Sequence, residues 1–479
     1  MSLAKKAISG TLWMSGINYI GYALNFGVQL VLVRLLVPED FGLFALGLSI
    51  AEILFIFFSF SFSMAVIQIQ EAEDLFDTAF YLSLISGTII VLMGGILGFF
   101  LSSYYPRESI VAFFMLCALQ PVQGCTLIYS ASMEKELQFK KNAVVRGLAT
   151  NLSGVGAIIL AYYGFGVWSL VGKEMIATVL MLAGMRMVTT YRFRRKFNKS
   201  TAKKLMSFGY KILFSRGLEV CYYRIPFFFI GTFAGTKILG LFSQTYYLAS
   251  IPNVMLTPAT SYVAYPIYSR IQNNTEQLNK AFYITNYFFI RFSMPIMLVL
   301  FLYPKEILSI LYGDKWLEAS QMLRYFAAYA AFLPLFSNAK TFAYSLGRLL
   351  DVSKVYSIKI AALATGLFAA LNTGHIYVGG LSYSISLVLG IFATFHYIRK
   401  EKINLNYKQL FLVPLMVSCA ILSMSPLIMK LPRIPSFSGN KYTIFFLVVI
   451  SVIVFTALIV IFELKTTLKN IRYITEKRI

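Results

Sequence analysis

Ten charged side chains interrupt stretches of this sequence that are otherwise apolar: Glu52, Lys173, Glu174, Lys211, Arg216, Glu219, Arg224, Arg291, Arg324 and Lys340. A charge at lipid depth is costly unless it faces a bundle interior or a water-filled cavity, so each is a candidate for binding or charge transfer. Lys211, Arg324 and Lys340 stand near the ends of their stretches, where a long side chain can snorkel to the headgroups. Glu52, Arg216, Glu219, Arg224 and Arg291 stand near the middle. Arg291 is the deepest and has no acidic residue in its own stretch, so it must pair across helices or face water. Arg216 and Glu219, three residues apart, share a helix face and read as a local ion pair. Arg224 projects about 140° away from Glu219. Lys173 and Glu174 are adjacent and so do not face each other on a helix.

An arginine fork matches the oxygens of a phosphate or carboxylate. Arg224 and Arg291, with Arg216 and Lys173, are therefore candidate ligands of an anionic cargo, and Arg291→Ala is expected to abolish its movement without loss of abundance. Glu52, Glu219 and Glu174 are candidates for taking up a proton and coupling movement to a gradient. Catalysis is not expected, because no carboxylate pair stands at catalytic spacing. Cys117, Cys125, Cys221 and Cys419 lie at irregular intervals in apolar stretches, as small packing residues rather than a disulfide or zinc pattern. His375 and His396 are far apart, and no metal or cofactor is expected.

The elements that must position these residues follow from hydropathy. Of 479 residues 58% are hydrophobic and only 13% charged, with a mean hydropathy of +0.71, more apolar surface than one soluble core can bury. Apolar runs of about 20 residues recur along the whole chain, each long enough to cross a bilayer as a helix. They predict an all-α polytopic membrane protein with about fourteen transmembrane helices: 11–33, 42–67, 80–101, 110–131, 147–163, 166–185, 208–231, 238–262, 282–302, 321–346, 360–376, 378–398, 410–429 and 443–462. The N-terminal run is too long for a signal peptide and lacks a cleavage signature, so it reads as a retained first span. Pro226, Pro252 and Pro258 fall inside spans, where a missing donor bends the helix.

The net charge of +23 is distributed in loops rather than on a soluble basic face, which excludes nucleic acid as a partner. With the N-terminus inside, 28 basic residues fall in inner segments and 8 in outer loops, so the positive-inside rule puts both termini in the cytoplasm. One inner loop breaks the pattern: Glu71, Glu73, Asp74 and Asp77 stand there without a basic neighbour. The most basic segment, from Tyr191 to Lys204, reads either as a plain topology signal or as a surface drawn to anionic membrane lipids.

A faint repeat divides the chain. Ile69-Gln70 with Ala79-Phe80-Tyr81 recurs as Ile271-Gln272 with Ala281-Phe282-Tyr283, and Gly42-Leu43-Phe44 recurs as Gly240-Leu241-Phe242. The expected organisation is an N-terminal six-helix bundle at 1–190, a basic cytoplasmic linker at 191–207, a C-terminal six-helix bundle at 208–398, and an added helix pair with a basic tail at 399–479.

Several segments carry a family resemblance. Leu32-Val-Arg-Leu-Leu-Val-Pro-Glu-Asp-Phe-Gly-Leu-Phe-Ala, Met133-Glu-Lys-Glu-Leu-Gln-Phe-Lys, Gly164-Phe-Gly-Val-Trp-Ser-Leu-Val and Tyr265-Pro-Ile-Tyr-Ser-Arg-Ile-Gln resemble the polysaccharide transporter family of the multidrug, oligosaccharidyl-lipid and polysaccharide exporter superfamily. The resemblance implies two six-helix bundles around a central cavity of alternating access. It also implies a flippase moving an undecaprenyl-diphosphate-linked oligosaccharide across a bacterial inner membrane for O-antigen, capsule or exopolysaccharide assembly, with polysaccharide polymerase machinery as a possible partner. A drug exporter of the same superfamily, or a membrane polymerase or ligase acting on lipid-linked sugars, are the alternatives. The chain departs from the family at Arg224-Ile225-Pro226, ahead of Ile230-Gly231, where many relatives carry Asn-x-Asp, so a cation-coupling role for that acid does not carry over.

Overall fold

Helices account for nearly every element of the computed structural model, which describes residues 3–58, 62–69, 74–136, 138–194, 196–374, 378–399, 407–428 and 441–476. Two compact units divide the chain, Met1–Ser243 and Gln244–Ile479.

The first unit holds α1 (Leu3–Leu35), α2 (Pro38–Phe58), α3 (Phe62–Gln68), α4 (Leu75–Leu101), α5 (Arg107–Ala118), α6 (Gln120–Lys135), α7 (Phe139–Tyr162), α8 (Val167–Val188), α9 (Lys199–Ala234) and the start of α10 (Thr236–Pro258). Pro38 opens α2 with Glu39 and Asp40 in its first turn, where a fixed φ and negative charge both favour a helix N-terminus. The expected span 110–131 falls on two helices. The break comes at Leu119, just ahead of Pro121, which has no backbone donor to continue the ladder. Small residues set the helix spacing: a Cβ on Gly94 of α4 would stand 3.0 Å from Cys117 of α5, which makes Cys117 the packing residue expected of it.

The second unit continues α10 through a π turn, Ala259–Ala264, into α11 (Tyr265–Ile271), then α12 (Thr275–Leu302), α13 (Pro304–Leu311), a 3-10 turn at Asp314–Ala319, α14 (Ser320–Ser345), α15 (Leu349–Asn372), α16 (Gly379–Arg399), α17 (Tyr407–Ile428) and α18 (Lys441–Glu476). The π turn follows Pro258 directly, a place where an interrupted ladder shifts its hydrogen-bond register. α14 is buried on nearly all its faces, with Phe326, Tyr329, Phe336 and Phe342 inside, and it packs against α12 and α16 at the centre of this unit.

Among the described residues eight helical stretches, with α5 and α6 together as one, are long and apolar enough to cross a membrane. The expected figure of fourteen spans is not the element count, because several expected spans break into two helices and the segment 303–320, expected to be an outer loop, folds into α13 and the 3-10 turn. The unit boundary also differs from the repeat-based one. α9, expected to open the C-terminal bundle, packs against α2, α3 and α4 of the first unit.

The basic linker is pinned rather than loose. Tyr191 donates to Asp77 Oδ1, the Arg194 backbone N donates to the same oxygen at 3.0 Å, and the Asn198 N donates to Thr78 Oγ1 at 3.2 Å. Phe193 stacks on Phe80 at 4.6 Å, and Asn198 caps α9 by accepting from Ser200 N and Thr201 N. The acidic loop that broke the charge pattern thus meets its complement, with Lys196 4.0 Å from Asp74. Glu71, Glu73 and His375 lie outside the described residues.

Candidate functional site

The first unit brings four of the seven candidate residues together. Arg224 of α9 holds Glu52 of α2 with both arms of its fork: Nη2 donates to Oε1 at 2.6 Å and Nε donates to Oε2. The two helices lie close here because Gly217 presents no side chain, and a Cβ there would stand 3.3 Å from Ile56 of α2. Glu174 of α8 lies within electrostatic reach of Lys173, Glu52 and Arg224, and Lys173 Nζ donates to Asn25 Oδ1 of α1 at 3.3 Å. Two guanidinium or ammonium groups and two carboxylates leave the cluster neutral. The side chains of Arg224 and Glu52 keep 25% and 33% of their surface accessible.

The remaining candidates sit elsewhere. Arg216 is exposed and directs Nη2 at Met64 Sδ, 3.6 Å away, so the expected Arg216–Glu219 ion pair is not among those of the described residues. Glu219, three residues along the helix, is half-buried. Arg324 donates to the Phe301 carbonyl at 3.2 Å and lies near the Phe301 ring, a packing position rather than a free cation.

Arg291 of α12 is held by a carboxylate of its own unit. Its Nε donates to Glu463 Oε2 at 2.6 Å, Nη2 donates to Glu463 Oε1, and Nη1 donates to the Tyr287 carbonyl at 3.0 Å. The guanidinium also lies 3.3 Å over the Tyr287 ring, while the Tyr287 hydroxyl donates to Glu463. Arg291 and Glu463 are only 8% and 7% exposed, so every donor that a cargo would need is already engaged in a closed site. Glu463 was missed because it stands one residue beyond an apolar run and reads as the start of a cytoplasmic tail. In the structure it lies within α18, at a residue with non-helical backbone angles. Lys359 was missed for a similar reason: α15 begins about three turns earlier than hydropathy suggests. It is fully buried, its ammonium 3.6 Å over the Phe336 ring.

Two tyrosines near the proline-bearing spans occupy packing positions. Tyr222 is buried, and Tyr246 belongs to an aromatic cluster with Phe326, Tyr329 and Tyr383.

The segments that carried the resemblance form two structural joints. Lys135 donates to the carbonyls of Val66 and Ile69 at the end of α3, at 3.1 and 2.8 Å, and burial lowers its pKa from the ordinary lysine range. Glu134 accepts from Ser130 and Asn142, and Glu136 accepts from Thr190 at 2.6 Å, tying α6 to α7 and to the end of α8. At the other end of the unit, Gly166 has φ +53°, and a Cβ on it would stand 2.8 Å from Asp40 Oδ1. Gly42 and Gly240, the repeat pair, pack reciprocally. A Cβ on Gly42 would meet the Thr236 carbonyl oxygen at 1.7 Å, and one on Gly240 would meet the Pro38 carbonyl oxygen at 1.8 Å. The openings of α2 and α10 therefore touch backbone to backbone.

This geometry can be set beside known proteins. A family model described as polysaccharide biosynthesis protein matches residues 31–321. The chain is 25% identical over 312 residues to the succinoglycan biosynthesis transport protein ExoT of Rhizobium meliloti, covering 63% of this chain and 62% of that one. It therefore spans less than two thirds of the length of that relative. It is 22% identical over 359 residues to the teichuronic acid biosynthesis protein TuaB of Bacillus subtilis, covering 73% of each. In fold it is similar to the lipid II flippase MurJ in an inward closed conformation, with a TM-score of 0.74 at 14% identity over 95% of this chain and 100% of that one.

Proposed function

We propose that this chain, which belongs to the polysaccharide biosynthesis protein family, is a flippase that carries an undecaprenyl-diphosphate-linked oligosaccharide from the cytoplasmic to the outer leaflet by alternating access. The carrying observation is the Arg224–Glu52 pair: a bidentate fork at mid-span, joined by Lys173 and Glu174, with a quarter to a third of its side-chain surface open. Charges at that depth are sustained by water rather than by acyl chains, so the accessible side of the pair faces an aqueous space.

A diphosphate offers the same paired oxygens as a carboxylate, and so competes with Glu52 for the fork. Exchanging one anion for the other spares the large penalty of leaving a guanidinium unpaired. Glu52, once displaced, loses its cation and becomes the group that takes a proton, which would link cargo movement to a proton gradient. Glu174 beside Lys173 offers a second carboxylate for the same purpose. The Gly42–Gly240 contact lies on the side that the basic-residue count makes external, and joins the openings of α2 and α10 within the first unit. Arg291 leaves the list of cargo ligands and becomes the clamp of α18. The transport names of ExoT and MurJ support the reading at the level of class.

The test is movement of a lipid-linked oligosaccharide in sealed vesicles containing the purified chain. Arg224→Ala should lower the initial rate at least about tenfold, and Arg224→Lys, which keeps the charge but loses the fork, should recover little of it. Full transport by Arg224→Ala at normal abundance removes the cluster from the cargo path. Accumulation of one particular lipid-linked intermediate on deletion of the gene names the cargo.

A further inference from the structure

The first turns of α9 carry two faces of opposite character. Ala202, Leu205 and Gly209 point inward, and Leu205 is fully buried against Phe62, Ala65, Val66, Leu75 and Ile128. On the other face Lys199, Lys203, Met206 and Tyr210 follow at spacings of four, three and four, which keeps them within an arc of about 60°. With Phe197 and Ser207 they line an open groove of about 590 Å³. Lys199, Lys203 and Lys204 are exposed and make no ion pair among those of the described residues. Tyr210, Phe197 and Met206 are 70%, 48% and 44% exposed.

α9 has 36 residues, so at about 1.5 Å per residue it is about 54 Å long against a hydrocarbon core of about 30 Å. Its first turns therefore stand at headgroup level. Along the helix the order is two lysines, then methionine, then tyrosine, over a rise of about 16 Å. That order matches the descent from lipid phosphate through the interface, where tyrosine is favoured, into the acyl region. The face is also rigid, held by the Asn198 cap, by Asp77 on the linker and by buried Leu205, so no ordering of the helix is needed to bind.

We infer that this groove is a binding site for an anionic phospholipid of the cytoplasmic leaflet, its phosphate between Lys199 and Lys203 and its chains along Met206 and Tyr210. Lysines are strongly hydrated point charges that suit an exchanging headgroup, whereas a selective diphosphate site calls for an arginine fork such as Arg224. The groove is open, its charge is of one sign, and its apolar floor continues in the bilayer direction. The assignment does not depend on the transport reading, since it concerns the lipid solvent and not the cargo.

The test places an indole in the groove with Tyr210→Trp in the full chain, reconstituted in phosphatidylcholine vesicles in which either phosphatidylglycerol or a minor fraction of phosphatidylcholine carries brominated chains. Emission of the native tryptophans is subtracted using the unsubstituted chain. Brominated phosphatidylglycerol should quench the added indole at least about threefold more strongly than brominated phosphatidylcholine at equal mole fraction, and the difference should shrink in high salt. Lys199→Gln with Lys203→Gln should abolish the preference, and Lys199→Arg with Lys203→Arg should retain it. Equal quenching by the two lipids, or a preference untouched by the glutamine pair, overturns the inference. Displacement of brominated phosphatidylglycerol by undecaprenyl diphosphate at a mole fraction far below that of the phosphatidylglycerol also overturns it, by making the groove a cargo port.

Discussion

Arg291 of α12 and Glu463 of α18 hold each other through a doubly hydrogen-bonded ion pair capped by the Tyr287 ring, in a site less than a tenth exposed. Removing one partner of such a pair leaves a buried charge uncompensated. Arg291→Ala is therefore expected to cost about 3–5 kcal/mol of stability, whereas Arg291→Met combined with Glu463→Leu should return to within about 1–2 kcal/mol of the parent. Thermal unfolding in detergent and abundance in membranes measure both. A single variant with parental stability and selectively lost transport restores Arg291 to the cargo site.

Glu52 is expected to govern the pH response of transport. If it takes up a proton on being displaced from Arg224, Glu52→Gln should leave binding of a lipid-linked diphosphate intact and flatten the dependence of transport on an imposed pH gradient. Cargo movement in vesicles with and without the gradient reads the effect. A gradient response unchanged in Glu52→Gln transfers coupling to Glu174 or Glu219.

Gly42 and Gly240 admit no Cβ without parting α2 from the start of α10. Gly42→Ala and Gly240→Ala are each expected to destabilise by about 1–3 kcal/mol, as overpacking does. They should also raise the reactivity of a cysteine placed at Thr236 toward a membrane-impermeant reagent added outside. Unchanged labelling in both variants shows that the contact does not shield Thr236.

The linker pin rests on a protonated phenol. Burial, followed by the hydrogen bond to Asp77, pushes the Tyr191 pKa well above the ordinary tyrosine range. A raised pKa on a group that is neutral when protonated gives a contribution fully present below about pH 10 and lost as pH climbs beyond it. Tryptic nicking at 192–199 should therefore be slow and flat between about pH 7 and 9, and faster in Tyr191→Phe and Asp77→Asn. Nicking of the parent that rises within that window shows the pin to be titrating near the ordinary phenol range.

The all-α membrane architecture was legible in the residues alone, because length and hydropathy are properties of consecutive positions and the bilayer acts on each run separately. The cost of a charge at lipid depth is equally local, so Glu52, Lys173, Glu174, Arg224 and Arg291 stood out before any contact was known. Which charges meet is a different kind of fact. Arg224 and Glu52 are 172 residues apart, as are Arg291 and Glu463, and nothing in local spacing separates the half-open pair from the closed one. Packing of α2 on α9 and of α18 on α12 made that decision, through helix approach and burial. The repeat glycines tell the same story: the sequence showed Gly42 and Gly240 as equivalent, and only the fold made them touch, because a missing Cβ becomes a contact only when another backbone arrives within van der Waals reach.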